Sequence, residues 1–284
     1  MSSTTTSSLI KLAEAAAILG VGDTTLKRWT EENRIVCERT LGGHRRFRKA
    51  EVLRLKASLS GEPAAVAVEP RADTTGTRDW LDGAPDPAEP SLVLARLVTL
   101  RSRCGDWAEA GDRLCAGVLT EIGERWMTGK ITCAEEHAMS RSLEVALTRI
   151  AHQLPVAPTA PSVVLACPSG ERHTLGLTLV ETLLRERGVN VHYLGGDVPA
   201  QDIVTAVRRF RPVALGLSAS SCPRPLADLE EPARAAASVC VETRCRLLLG
   251  GGANWPPTRG AFRFMTLIEL SRSLDSILPK PAVA

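Results

Sequence analysis

The chain has 284 residues, room for two or three small domains, with 44% hydrophobic and only 4% aromatic residues. No apolar run approaches roughly 18 residues, so no membrane-spanning helix is expected, and Met1–Ser8, rich in Ser and Thr, lacks the charged and apolar regions of a secretory signal. The net charge of +3 is small but uneven: residues 9–59 carry 11 Lys and Arg against 6 Asp and Glu, residues 60–90 carry 2 against 7. The first stretch can face a polyanion and the second cannot. Eight cysteines are scattered without a C-x-x-C pair, which argues against a zinc site or a disulfide framework and suits a reducing cytoplasm.

In chain order, Leu12 to Leu19 predicts a short Ala-rich helix, Gly20-Val21-Gly22 a turn, and Asp23 an N-cap for a second helix over 24–33. This is a helix-turn-helix pattern. Its second helix carries Thr24, Thr25, Lys27 and Arg28 for a major groove. Ile35 to Phe47 reads as a two-stranded wing around Gly42-Gly43. Arg39, His44, Arg45 and Arg46 on it suit phosphate or minor-groove contact. Trp29 reads as core rather than as a base-stacking ring. The string Thr40-Leu-Gly-Gly-His-Arg-Arg-Phe47 resembles the winged-helix MerR-type DNA-binding head, over about fifty residues. That resemblance implies double-stranded promoter DNA as partner.

Residues 61–90, with Pro63, Pro70, Pro85, Pro87 and Pro90, read as an extended linker. From 91 to 155 apolar positions recur at helical spacing, with breaks near Gly105 and Gly129, which predicts a bundle of four helices. Thr132-Cys-Ala-Glu135 is a capping box that opens the last of them. Trp126 closes the helix before it, and Glu136 and His137 lie in the first turn after it. As residues alone, these three fit a shared cavity or a core Trp beside a surface pair about equally well.

Residues 160–284 alternate strands and helices: 162–167, 173–188, 191–195, 199–210, 213–220, 226–241, 246–250 and a last helix near 266–277. That order predicts a doubly wound parallel α/β sheet. Glu171-Arg-His173-Thr-Leu-Gly176 falls where the first strand runs into its helix, at the carboxyl end where such sheets bind ligands. A glutamate two residues before a histidine can hold one ring nitrogen while the other faces a metal. Later strands end in Ser218-Ala-Ser220 and in Gly250-Gly251-Gly252, small residues that leave a deep slot. His152 and His192 read as structural or solvated.

Here the chain resembles the cobalamin-binding domain of methionine synthase, the methylmalonyl-CoA mutases and the CarH/LitR photoreceptor regulators. That resemblance implies His173 as lower cobalt ligand in place of the nucleotide base, Glu171 as its partner, and Gly176 permitting close packing. Ser218, Gly250 and Gly251 would line the channel for the displaced nucleotide tail; Ser220 is a mild departure from the family pattern. Trp126, nine residues, then Glu136-His137 is similar to the W-x9-E-H bundle of CarH/LitR, which covers the upper face of the cofactor. The light-sensing members carry a histidine after the Trp, and here that residue is Met127. The resemblance as a whole implies a cytoplasmic, non-enzymatic repressor that self-associates as a dimer or tetramer, holds adenosylcobalamin and responds to light. Two alternatives stay open: a regulator sensing haem, a bilin or methylcobalamin without light, and a cobalamin-dependent methyltransferase subunit.

Overall fold

Five parallel strands in the order β5-β4-β6-β7-β8 organise the larger part of the computed structural model, which describes residues 9–31, 35, 37–39, 45–48, 52, 55, 80–81, 88–220 and 227–278. They are β4 (Ser162–Pro168), β5 (Asn190–Val198), β6 (Ala214–Ser218), β7 (Arg246–Gly250) and β8 (Ala261–Arg263). In chain order this is the 2-1-3-4-5 arrangement of flavodoxin-like sheets, whose switch point lies between the first and third strands, here β4 and β6. Residues with alternate side chains on opposite faces explain the two cores. Val163, Leu165 and Cys167 pack with the helix Leu175–Glu186 (labelled α7 below) and with the last helix, Leu267–Ile277 (α10). Val164 and Ala166 pack with the helices Ala200–Phe210 (α8) and Ala227–Thr243 (α9). Strands buried on both faces must be apolar throughout, which is why they read as continuous runs in the sequence.

The helical segment before the sheet joins the first of these cores. It comprises α3 (Pro90–Ser102), α4 (Trp107–Leu114), α5 (Thr120–Met127) and α6 (Cys133–Gln153). Four α-helices were expected, and four are found among the described residues. The second and third, however, run on without a break through a π-helical turn, Cys115–Leu119. Each start has its own chemical cause. Glu89 accepts from Ser91 N and Leu92 N with Pro90 at the first helical position, Asp106 accepts from Glu109 N, and Thr132 with Glu135 forms the expected capping box. The carboxylate of Asp112 on α4 accepts from Leu267 N and Ile268 N at 2.8 and 3.0 Å, so one helix caps another.

The N-terminal part folds round its own core of Ile10, Leu26, Trp29, Ile35 and Phe47. Helix α1 (Leu12–Leu19) ends on Gly20, whose φ of 72° lets its N–H return to the helix carbonyls. Helix α2 spans Asp23–Glu31, so Asp23 is its first residue rather than the cap expected. Strands β1 (Leu9–Lys11) and β2 (Glu38–Arg39) flank β3 (Arg45–Arg48) in an antiparallel sheet, with Ile10 opposite Phe47 and Arg39 opposite Arg45. Residues 40–44, including His44, and most of the expected linker, 61–79 and 82–87, lie outside the described residues.

Candidate functional site

Strand β4 ends at Pro168, Ser169-Gly170 make a turn, and Glu171 follows with its side chain wholly buried (0% exposed) at the switch point. A buried carboxylate must be paired or hydrogen-bonded. Here Oε1 accepts from His173 N at 2.8 Å and faces His173 Nδ1 at 2.7 Å, while Oε2 accepts from Ser220 N at 2.7 Å and Ser220 Oγ at 2.8 Å. Burial pushes this carboxyl up, and the bonds from the His173 ring, Ser220 N, His173 N and Ser220 Oγ together outweigh it, drawing the pKa down to about 2. The group is therefore ionised at neutral pH. An anion at Nδ1 keeps the proton of a neutral imidazole on that nitrogen and puts the lone pair on Nε2. The ring itself is 70% exposed. The arrangement presents a basic, oriented nitrogen at the carboxyl edge of the sheet, as a metal ligand requires.

The loop is fixed from β5, a contribution the sequence did not suggest. Asp197 N donates to Glu171 O at 2.7 Å, Gly170 N donates to Asp197 Oδ1 at 2.7 Å, and Arg172 lies 3.4 Å from Asp197 Oδ2. Asp197 adopts φ 58°, and a Cβ on Gly196 would stand 3.0 Å from Glu171 O and from Thr174 Cγ2. Gly195-Gly196-Asp197 was the available signal, a turn-like tripeptide inside a strand. Thr174 in turn donates to Glu144, two turns along α6 from Glu136, which ties the helical segment to the histidine loop.

Beside this relay is a cleft of about 160 Å³, enough for a slender group and not for a macrocycle. Gly176, Ser218, Gly250 and Gly251 all line it, as do Asp112, Cys115 and Met265, which the sequence did not single out. Burial raises the Asp112 carboxyl and pushes the Cys115 thiol up to about 12, so the thiol stays neutral. Gly251 has φ 82° and its Cβ would run into the Ala219 carbonyl, so the strand end requires glycine. Gly176 has no atom within 4 Å of where a Cβ would stand, so it borders open cleft. Ser220 does not line the cleft; it is committed to Glu171.

Trp126 and Met127 are half-buried at the end of α5. Glu136 and His137 form a cluster at the start of α6. Ser140 Oγ donates to Glu136 Oε1 at 2.7 Å, Glu136 Oε2 is 3.4 Å from His137 Nε2, and Cys133 Sγ is 3.7 Å from the same nitrogen. On α2, Thr24, Lys27 and Arg28 are exposed on one face, three and four residues apart, whereas Thr25 is half-buried beside the buried Leu26. On β3, Arg45 shares a strand face with the buried Phe47 and Arg46 takes the other, so the two arginines do not act from one surface. No helix among the described residues is long and apolar enough to cross a membrane.

Comparison with known proteins agrees with this geometry. The B12 binding domain family matches residues 161–251 and the helix-turn-helix domain family residues 9–60. The HTH-type transcriptional repressor CarH of Myxococcus xanthus is 34% identical over 58% of this chain and 54% of its own length. The HTH-type transcriptional repressor CarA of the same organism is 29% identical over 80% of this chain and 83% of its own. The methanol–corrinoid protein of Methanosarcina barkeri is 40% identical over 20% of this chain and 22% of its own. The order along this chain is thus a helix-turn-helix domain, a helical segment and a B12 binding domain, with a family model matching each end. The chain is similar to the CarH and CarA type of repressor, spanning about half the length of CarH.

Proposed function

We propose that this chain is a cytoplasmic repressor that holds adenosylcobalamin, grips promoter DNA as a dimer or tetramer, and releases or tightens that grip on illumination. The observation that carries the reading is the Ser220–Glu171–His173 relay: an ionised buried carboxylate holding the ring of an exposed histidine beside a cleft at the switch point. The donor set fits the group. Nε2 of His173 would serve as lower ligand, with Glu171 fixing its tautomer. Gly176, Ser218, Gly250 and Gly251 leave the cleft that a displaced nucleotide tail needs. Trp126, Met127, Glu136 and His137 would cover the opposite face. When bound, the cofactor supplies a cobalt–carbon bond that light can break. The repressors CarH and CarA among its relatives favour a regulator over an enzyme. Self-association follows from the size of the head, whose few phosphate contacts gain affinity when copies are linked. Gel shifts with the cofactor-loaded protein, in the dark and after light, test the switch. A light-dependent change in retardation supports it. Equal retardation in both, or tighter binding of haem or a bilin than of cobalamin, contradicts it.

Two substitutions refine the proposal. Replacing both wing arginines (Arg45→Ala with Arg46→Ala) should weaken binding to every DNA sequence. It should also lower the slope of log affinity against log salt by about 1 to 2, at about 0.9 per phosphate contact. Most of the loss should follow Arg46, which does not share Phe47's face. An unchanged slope in fluorescence anisotropy would take the wing off the backbone. Met127→His should add an imidazole above the cofactor, so its absorption spectrum after illumination should differ from that of the wild type. Identical spectra would mean that position 127 does not reach the upper face.

A further inference from the structure

The amino ends of the parallel strands, opposite the cleft, carry a rim of exposed arginines that neither the cofactor site nor the head accounts for. Arg208, Arg209 and Arg211 close α8, Arg244 follows α9, and Arg246 opens β7. Glu242 lies among these five and is held by Arg208 through two bonds of 3.0 and 2.7 Å.

Compensation of helix dipoles accounts for part of this. Arg208 and Arg209 do stand in the last turn of α8. Helix α9, however, has no basic residue in its last turn, and its arginines come after it, in the turn and on the strand. Both Arg211 and Arg244 occupy left-handed positions, φ 46° and 60°, where glycine or asparagine is the usual choice. Local folding would favour those residues there, so the side chains point to a use. The guanidinium groups are also laid on rings. Arg209 lies over Phe210 at 5.6 Å, Phe210 stacks on His192 at 4.0 Å, and Arg246 lies over the exposed Phe262 at 6.0 Å. Arg211 stands shortly before β6 and Arg246 opens β7, and these are neighbouring strands about 4.8 Å apart.

We propose that this rim is a second, sequence-independent contact surface for the phosphodiester backbone of duplex DNA. Guanidinium groups suit phosphate because they are planar and can donate two parallel bonds. The same chain carries a helix-turn-helix domain, so DNA held by that domain is presented to the rim at high effective concentration. An acidic polypeptide is the other polyanion that could dock, and the test separates the two.

The full chain is compared with a triple variant, Arg209→Gln, Arg211→Asn and Arg246→Gln, and with the triple lysine variant at the same positions. Each is titrated with a random-sequence duplex at several salt concentrations, with polyglutamate as a second probe. The expected result is a salt slope lower by about 0.9 for each engaged arginine, up to about 2.7 in all, and retained in the lysine variant. The single exposed substitution Arg209→Glu should show the same direction if the triple variant melts early. Repeating the comparison with Arg45→Ala and Arg46→Ala in the head should give additive losses, which keeps this test separate from the assignment of the wing. An unchanged slope in the triple and single variants overturns the proposal. So does loss of polyglutamate binding with DNA binding intact, which would assign the rim to an acidic protein.

Discussion

His173→Ala is expected to lower cobalamin affinity by at least about 100-fold while leaving the fold intact. Removing a residue that merely supports a ligating histidine already costs about 10–100-fold, so losing the ligand itself should cost more. The fold should tolerate the change because the ring is mostly exposed and fills no core. Glu171 would keep its bonds from His173 N, Ser220 N and Ser220 Oγ, losing one of four. The loss in stability should stay near ~1 kcal/mol. Spectrophotometric titration gives the affinity and a thermal melt gives the stability. Unchanged affinity with an unchanged spectrum sinks the assignment.

The second large effect should come from Glu171→Gln, and it should appear in stability as well as in binding. Each carboxylate oxygen accepts two donors. Whichever position becomes the amide NH2 then meets two donors in a buried place, at about 1–3 kcal/mol for each bond left unmade. The pH dependence has a definite sign. Glu171 sits at about 2 against an ordinary 4.5, so its contribution is fully present above 4.5 and is lost as pH falls toward 2. That difference corresponds to at most about 3 kcal/mol. The stability gap between wild type and Glu171→Gln should therefore be wide at pH 7 and narrow at pH 2.5, read as the shift in urea midpoint. A gap that does not change with pH would mean that the carboxylate is not ionised in the folded protein. Cobalamin affinity should fall about 10–100-fold through lost orientation of the ring.

Much of the architecture was legible because buried parallel strands leave a clear trace. The runs at 162–167 and 246–250 reappear as β4 and β7 within a residue. The glycine at 20 and the capping box at 132–135 marked helix ends through chemistry local to the chain. What escaped was either short or non-local. Strands β1 and β8 have three residues each, too few to show a period. Strand β5 runs on to Val198 through two glycines and an aspartate, because Asp197 is held by a loop 25 to 27 residues away, at Arg172 and Gly170. No local pattern announces the π-helical turn at 115–119, which puts Cys115 on the cleft wall. Glu171 and His173 could be paired from spacing alone. Ser220 could not, since its two bonds to Glu171 exist only once β6 lies beside β4. Gly176 shows the converse: a glycine that faces an open cleft looks the same in sequence as one under a neighbouring side chain.

The central claim, that a nitrogen of His173 takes the place of the cofactor's own base, can be tested by electron paramagnetic resonance. Protein labelled with 15N in histidine alone is loaded with unlabelled cobalamin reduced to the cobalt(II) state. Coupling to an axial 15N splits each cobalt line into a doublet, and coupling to a 14N gives a triplet. Doublets are expected in the wild type, and their loss in His173→Ala. Triplets in the labelled wild type, which show the nucleotide base still in place, would contradict it.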